Sequence, residues 1–151
     1  MTDPVAPEFW QAVDQFNQHQ FYVCHDTIEA LWFEASDPLR TFYQGVLQIA
    51  VALHHLENSN WRGAAILLGE GTERLRRYAP EYGGIDVAQL LHQCIELLAA
   101  LQRVGADRLA GQSAQPSPQP ADAVSGVDDF AIPKIERIAP IGTFFQGGGS
   151  T

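Results

Sequence analysis

An all-α fold follows from three observations on the sequence. Apolar residues recur at helical spacing in five successive stretches, the intervals between them carry capping and turn residues, and no stretch shows the period-two alternation of a half-buried strand. The expected architecture is a compact bundle of about five helices in antiparallel pairs, followed by a disordered Pro/Gly-rich tail.

The first helix is expected over Pro7 to His19, with Pro7 where its missing N–H costs nothing and Phe9, Val13 and Phe16 on one stripe. A second runs from Tyr22 to Ala35, although the intervening Asn17 to Gln20 contains neither Gly nor Pro. Ser36-Asp37-Pro38 reads as a short loop: Asp37 caps free N–H groups, and Pro38 opens a third helix that continues to about Asn58. That helix is apolar nearly all round, through Leu39, Phe42, Val46, Ile49, Ala50 and Leu53, which marks it as the central element.

Asn58-Ser59-Asn60 supplies capping residues for a fourth helix, on which Trp61, Ala64, Leu68, Leu75 and Tyr78 share a face. Pro80 and Gly83-Gly84 end it. The run Ile85 to Leu90 then forms a complete helix start, with Asp86 as N-cap, Gln89 at the capping-box position and Ile85 able to staple onto Leu90. The fifth helix carries Leu90, Leu91, Cys94, Leu97, Leu98 and Leu101 inward and is expected to stop at Gly105. Gly45, Gly69 and Gly71 sit inside helices, where close helix approach would offset their cost of roughly 0.5 to 1 kcal/mol.

Residues 1–105 thus form the bundle domain and 106–151 a flexible tail. The linker Gly111 to Pro120 cannot bury enough surface to offset ordering entropy. Residues 129–138 regain apolar character, and Pro133 disfavours a helix there, so Phe130, Ile132, Ile135 and Ile138 form a candidate extended docking segment. It can lie in a groove of its own bundle or on a partner's surface.

Composition removes several classes of function. A net charge of −9 with no basic patch argues against nucleic acid, and the one arginine cluster, Arg74, Arg76 and Arg77, is interleaved with glutamates. No apolar run spans a membrane and the N-terminus lacks a secretory pattern, so a cytoplasmic location is expected. Cys24 and Cys94 read as small buried hydrophobes, not as a disulfide or metal framework. Trp10, Trp32 and Trp61 read as core residues.

The chemistry-bearing stretch is Phe21-Tyr22-Val-Cys-His25-Asp26-Thr-Ile-Glu29-Ala-Leu-Trp32, followed by Arg40, Tyr43, Gln44, Gln48, His54 and His55 on the third helix. His25, Glu29 and Trp32 are spaced i, i+4, i+7 and share a face, where desolvated polar groups need partners. In an antiparallel hairpin turning near Asp37, His25 falls opposite Gln48 and Glu29 opposite Gln44 with Arg40 one turn away. Glu29 and Arg40 are accordingly expected to form a buried ion pair. His55 would lie roughly 9 to 10 Å further along the axis than His25, too far to share an ion without a displaced hairpin.

From about Phe9 to Leu101 the sequence resembles the domain of unknown function family 309 of uncharacterised bacterial and archaeal helical proteins. The resemblance rests on Phe21-Tyr22, His25-Asp26, Glu29, Trp32, Arg40, Tyr43-Gln44-Gly45, Gln48 to Leu53, His55, Asn60, Gly63-Ala64, Gly71, Leu75 and Tyr78. It implies a compact helical bundle with no assigned activity.

Two functional classes stay open. The favoured one is a non-catalytic protein-interaction or scaffold module, with a protein partner reached through the C-terminal segment, homo-oligomerisation open, and no cofactor or metal required. The rival is a metal-assisted hydrolase using His25, Asp26 and Glu29, since His and carboxylate at i, i+4 can reach one ion. The stretch lacks the second histidine of the zinc-protease His-Glu-x-x-His pattern and has no evident third element to complete a site, so a hydrogen-bonded network is the simpler account. Whether the chain is an enzyme is left undecided by its sequence.

Overall fold

The computed structural model describes residues 5–114 and 130–138. Five α-helices occur among them: α1 (Pro7–Asn17), α2 (Phe21–Glu34), α3 (Leu39–Glu57), α4 (Trp61–Leu75) and α5 (Val87–Ala114). A 3₁₀ turn, Arg76–Tyr78, extends α4, and two short strands, β1 (Glu81–Tyr82) and β2 (Ile85–Asp86), precede α5. The helices pack in antiparallel pairs, α1 on α2, α2 on α3, α3 on α4 and α4 on α5, so the expected all-α bundle is present.

Each turn has a local cause. α1 and α3 end without glycine: His19 and Ser59 take the left-handed conformation, with φ of 63° and 61°. In both cases the following amide reaches back five residues, Gln20 N–H to Gln15 O at 2.8 Å and Asn60 N–H to His55 O at 2.8 Å, the bond that closes a Schellman motif. The Asn17 to Gln20 boundary is therefore encoded by backbone geometry on a histidine. Asp37 Oδ1 accepts from Thr41 N–H at 2.9 Å, Asn60 Oδ1 from Gly63 N–H at 3.0 Å, and Asp86 Oδ1 from Gln89 N–H at 2.9 Å, so all three expected caps form.

Two expectations need correction. Gly83 and Gly84, both at positive φ, are the two-residue turn of a β-hairpin and not only a helix stop; Tyr82 pairs with Ile85 and Glu81 with Asp86. A Gly-Gly pair is one of the few that suits this tight turn. α5 does not stop at Gly105 but runs nine residues further to Ala114. One interior glycine costs about 1 kcal/mol, and the helix formers that follow it, Ala106, Arg108, Leu109 and Ala110, support continuation. The helix thus crosses the expected 105/106 boundary; residues 115–129 and 139–151, including most of the expected linker, lie outside the described residues.

One core gathers the helices. Phe9, Phe16, Phe21, Ile28, Phe42, Ile49, Leu53, Leu68, Leu75 and Ile85 are fully buried, and both Ile85 and Leu90 of the expected staple lie within it. α3 contributes from several sides, as its all-round apolar pattern implied. The close approach of α3 and α4 passes through Gly45 and Gly71: a Cβ on Gly71 would meet Ile49 Cγ1 at 2.9 Å and Gly45 O at 3.0 Å. Gly69 is different, since a Cβ there would meet only Leu98 Cδ2 at 3.9 Å. The three tryptophans are half-buried at the edge of the core instead of inside it, each with a ring face or edge covered by a second side chain.

Residues 130–138 form an extended strap across the bundle. Ile135 is buried, Phe130 and Ile132 pack partly buried against the core, and the Ile85–Arg137 bridge adds the strap to β2.

Candidate functional site

The motif residues separate into three groups once the helices are placed. His25, Asp26 and Glu29 stay together on α2. His25 Nδ1 lies 3.2 Å from Asp26 Oδ1, and Nε2 lies 4.0 Å from Glu29 Oε1. The Nδ1 contact is within ion-pair range but misaligned for a hydrogen bond, and Nδ1 has no hydrogen-bond partner among the described residues although the atom itself is buried. The two carboxylates are 60% and 56% exposed and sit in water, while His25 is half-buried beside them.

Arg40 and Trp32 make the second group. The guanidinium lies over the indole at 4.2 Å from its centroid. The buried Glu29–Arg40 pair expected from the sequence does not form: Glu29 turns outward and Arg40 is taken by the ring. Arg suits that role because its planar, weakly hydrated guanidinium stacks on aromatic faces. Trp32 Nε1 is buried with no hydrogen-bond partner among the described residues.

Tyr43, Gln44, Gln48 and His55 form no unit with the trio. Tyr43 is buried in the core and its hydroxyl accepts from Ala6 N–H at 3.0 Å, holding the entry to α1. Gln48 was expected opposite His25 but faces α4: it donates to Glu70 Oε1 at 3.1 Å and accepts from Arg74 Nε at 2.9 Å. Gln44 is half-buried on α3. His55 Nδ1 contacts Asn60 Nδ2 at 3.2 Å, at the end of its own helix. The hairpin estimate fails because α3 is contacted on two sides, so residues level with α2 along the axis can point to α4.

His54 of α3 is linked to the trio through Tyr22. Its ring lies 5.3 Å from that of Tyr22, and Tyr22 in turn lies 5.6 Å from His25. Tyr22 therefore contacts both histidine rings. His54 Nδ1 has no hydrogen-bond partner among the described residues and sits 3.7 Å from Glu57 Oε1. Adjacency to His55 concealed this, since only the rotation of α3 about its axis decides which of the two meets α2.

The donor atoms of His25, Asp26 and Glu29 lie within 4.8 Å of one another, and among the described residues these could hold a metal ion. A tetrahedral Zn²⁺ with bonds of ~2.0 Å would need its ligands at about 3.3 Å, so the side chains would have to close on it. All three come from little more than one helical turn. Two clefts lie elsewhere: one of about 750 Å³ beside Glu70, Glu73 and Arg74 of α4 and Arg77 of the 3₁₀ turn, another of about 580 Å³ between Glu8 and Glu34, neither lined by the trio. Burial pushes the Cys24 and Cys94 thiols up to about 12, so neither is a ready thiolate nucleophile.

Residues 9–67 match the family described as Domain of unknown function (DUF309). That segment is similar to the DUF309 family. It covers α1 to the middle of α4 and so contains every member of the His25 motif, while Gly71, Leu75 and Tyr78, the hairpin, α5 and the strap lie beyond the DUF309 match. No curated protein matches the chain. No helix of the described residues is long and apolar enough to cross a membrane.

The candidate docking residues are placed on the chain's own bundle. Phe130 meets Trp61 edge-on at 5.8 Å, Ile132 borders α5, Ile135 is buried and Ile138 N–H donates to Gly84 O at 2.8 Å. The segment is extended, as Pro133 suggested. Asp129 lies outside the described residues.

Proposed function

We propose that this chain is a non-catalytic protein-interaction module whose recognition surface includes the outer stripe of α2. The observation that carries the reading is the order of exposed residues on that stripe. Tyr22, Asp26, Glu29 and Phe33 are spaced i, i+4, i+7, i+11, so they lie in one line about 16 Å long. Phe33 is 75% and Tyr22 57% exposed, with Val23 beside them. Large apolar side chains left in water on one face mark contact surfaces. Two carboxylates between two aromatic rings favour an amphipathic partner helix whose apolar residues flank Lys or Arg.

The test uses a synthetic amphipathic helix patterned with Leu and Lys, and a matched peptide with Glu in place of Lys. Micromolar, salt-sensitive binding of the basic peptide alone is expected, weakened at least about tenfold by Phe33→Ser, which amounts to ~1.4 kcal/mol. Equal binding of both peptides, or no effect of Phe33→Ser, would sink the reading.

A second reading, a metal-assisted hydrolase, is favoured by the proximity of the His25, Asp26 and Glu29 donor atoms. Zn²⁺ titration by calorimetry separates the two. Stoichiometric micromolar binding abolished by His25→Ala would favour the metal centre; heat indistinguishable from dilution would remove it.

A further inference from the structure

The strap is held in a way that side chains packed on a core do not require. Lys134 and Ile135 are both read through their backbones, from opposite sides. Gln93 of α5 accepts from Lys134 N–H at 3.0 Å and donates to Lys134 O at 3.0 Å. Asn17 of α1 accepts from Ile135 N–H at 2.8 Å and donates to Ile135 O at 2.9 Å. Successive residues of an extended chain turn their N–H and C=O groups to opposite sides, which is why one amide on each wall satisfies one residue each. Asp86 N–H then donates to Glu136 O at 2.9 Å, and Ile138 N–H to Gly84 O at 2.8 Å.

Side chains supply the remaining discrimination. Pro133, which has no N–H to satisfy, and Ile135 are buried. At the ends, Phe130 rests on Trp61 and the Arg137 guanidinium lies 3.9 Å from the Trp10 ring centroid. The groove is also wider than its occupant. A cleft of about 390 Å³ remains between the strap and α5, lined by Glu96, Leu97, Ala100, Arg103 and Ile132.

Backbone pairing along an extended segment, with pockets for alternate side chains, is how peptide-binding domains hold their ligands. We infer that the groove between α1 and α5, edged by β2, is a binding site for an extended peptide of the order apolar-Pro-x-Ile-x-Arg, and that residues 130–138 are its tethered ligand. This site is separate from the α2 stripe and stands or falls independently of it. Tethering raises the local concentration of the strap to the order of mM, so a free peptide competes only when the strap is weakened.

The test uses the full chain carrying Ile135→Asp, which places a charge where the groove takes an apolar side chain. A fluorescein-labelled peptide with the wild-type sequence of residues 130–138 is titrated and followed by anisotropy. Binding to the Ile135→Asp chain is expected to be at least about 100-fold tighter than to the wild-type chain, whose groove is filled. Adding Asn17→Ala to that chain should weaken it at least tenfold on the scale of a lost bidentate hydrogen bond, about 1.4 kcal/mol or more. A folded Ile135→Asp chain that does not bind, or a wild-type chain that binds equally well, overturns the inference. Where Ile135→Asp fails to fold, amide exchange of the wild-type chain decides. Faster exchange at Ile135 and Ile138 than in α3 supports a detachable ligand, and equal protection makes the strap part of the core and overturns it.

Discussion

Arg40 lying flat on Trp32, with Glu29 turned to solvent, follows from the small return on an exposed ion pair. Such a pair contributes about 0 to 1 kcal/mol, whereas a guanidinium on an indole keeps its hydrogen-bonding edge wet and covers apolar surface. Asp37 is the opposite case, a surface carboxylate with a fixed job. The Thr41 hydroxyl and then its N–H hold the Asp37 carboxyl below its ordinary value, with Arg77 and Arg40 adding to the effect and slight desolvation opposing it. The folded pKa is depressed, so the cap's stabilisation is present above the unfolded carboxylate value of about 3.9 and is lost as pH falls through the lower folded value. Asp37→Ala is therefore expected to lower the melting temperature at pH 7. That deficit should shrink progressively below about pH 4, and a deficit of constant size down to pH 2 would show that the charge is not what matters. The caps at Asp37, Asn60 and Asp86 were all legible in the sequence because each depends on residues no more than four apart.

Between elements, the contact that sets the spacing of α3 and α4 runs through glycines. Gly71→Ala would press a methyl group against Ile49 and the Gly45 carbonyl, and overpacking of that kind costs roughly 1 to 3 kcal/mol. Gly69→Ala, two residues away, makes only an ordinary contact with Leu98 and removes the entropic penalty of glycine, so it should stabilise by about 0.5 to 1 kcal/mol. Chemical denaturation of the two variants checks both signs. A stabilised Gly71→Ala would show that the helices can separate freely. Sequence placed all three glycines in helices, yet it could not rank them, because a glycine's neighbours across an interface are remote in the chain. The left-handed conformation at His19 and Ser59 was not legible for another reason: it is imposed by the backbone bonds that close each helix, on residue types that do not announce it.

At the scale of the whole molecule, the five helices, the hairpin and Ile135 all contribute to one hydrophobic cluster. Sharing a core in this way leaves the five helices and the hairpin no internal boundary at which one of them could melt alone. Thermal unfolding followed by far-UV circular dichroism and by calorimetry should give one transition, with equal calorimetric and van't Hoff enthalpies. Two resolved transitions would mean that α5 and the hairpin form a separate cooperative unit. The candidate site obeys the same geometry. His25, Asp26 and Glu29 stayed together because they are neighbours on one helix, while Gln48 and His55 left the group because α3 presents different faces to α2 and α4.

The sequence by itself determined the helical class, the number of helices and their approximate limits apart from the end of α5, the caps at Asp37, Asn60 and Asp86, the His25-Asp26-Glu29 cluster and the extended character of residues around Pro133. These properties rest on periodicity and on interactions within a few residues, which the chain order displays directly. Tertiary structure alone decided that Arg40 stacks on Trp32, that Gln48 joins α4, that His54 meets Tyr22 and that the strap lies between Asn17 and Gln93. Asn17 and Ile135 are 118 residues apart, and their pairing depends on the rotation and packing of every helix between them. Rotations of that kind are set by how side chains of distant segments fill a common core, a property of the folded whole.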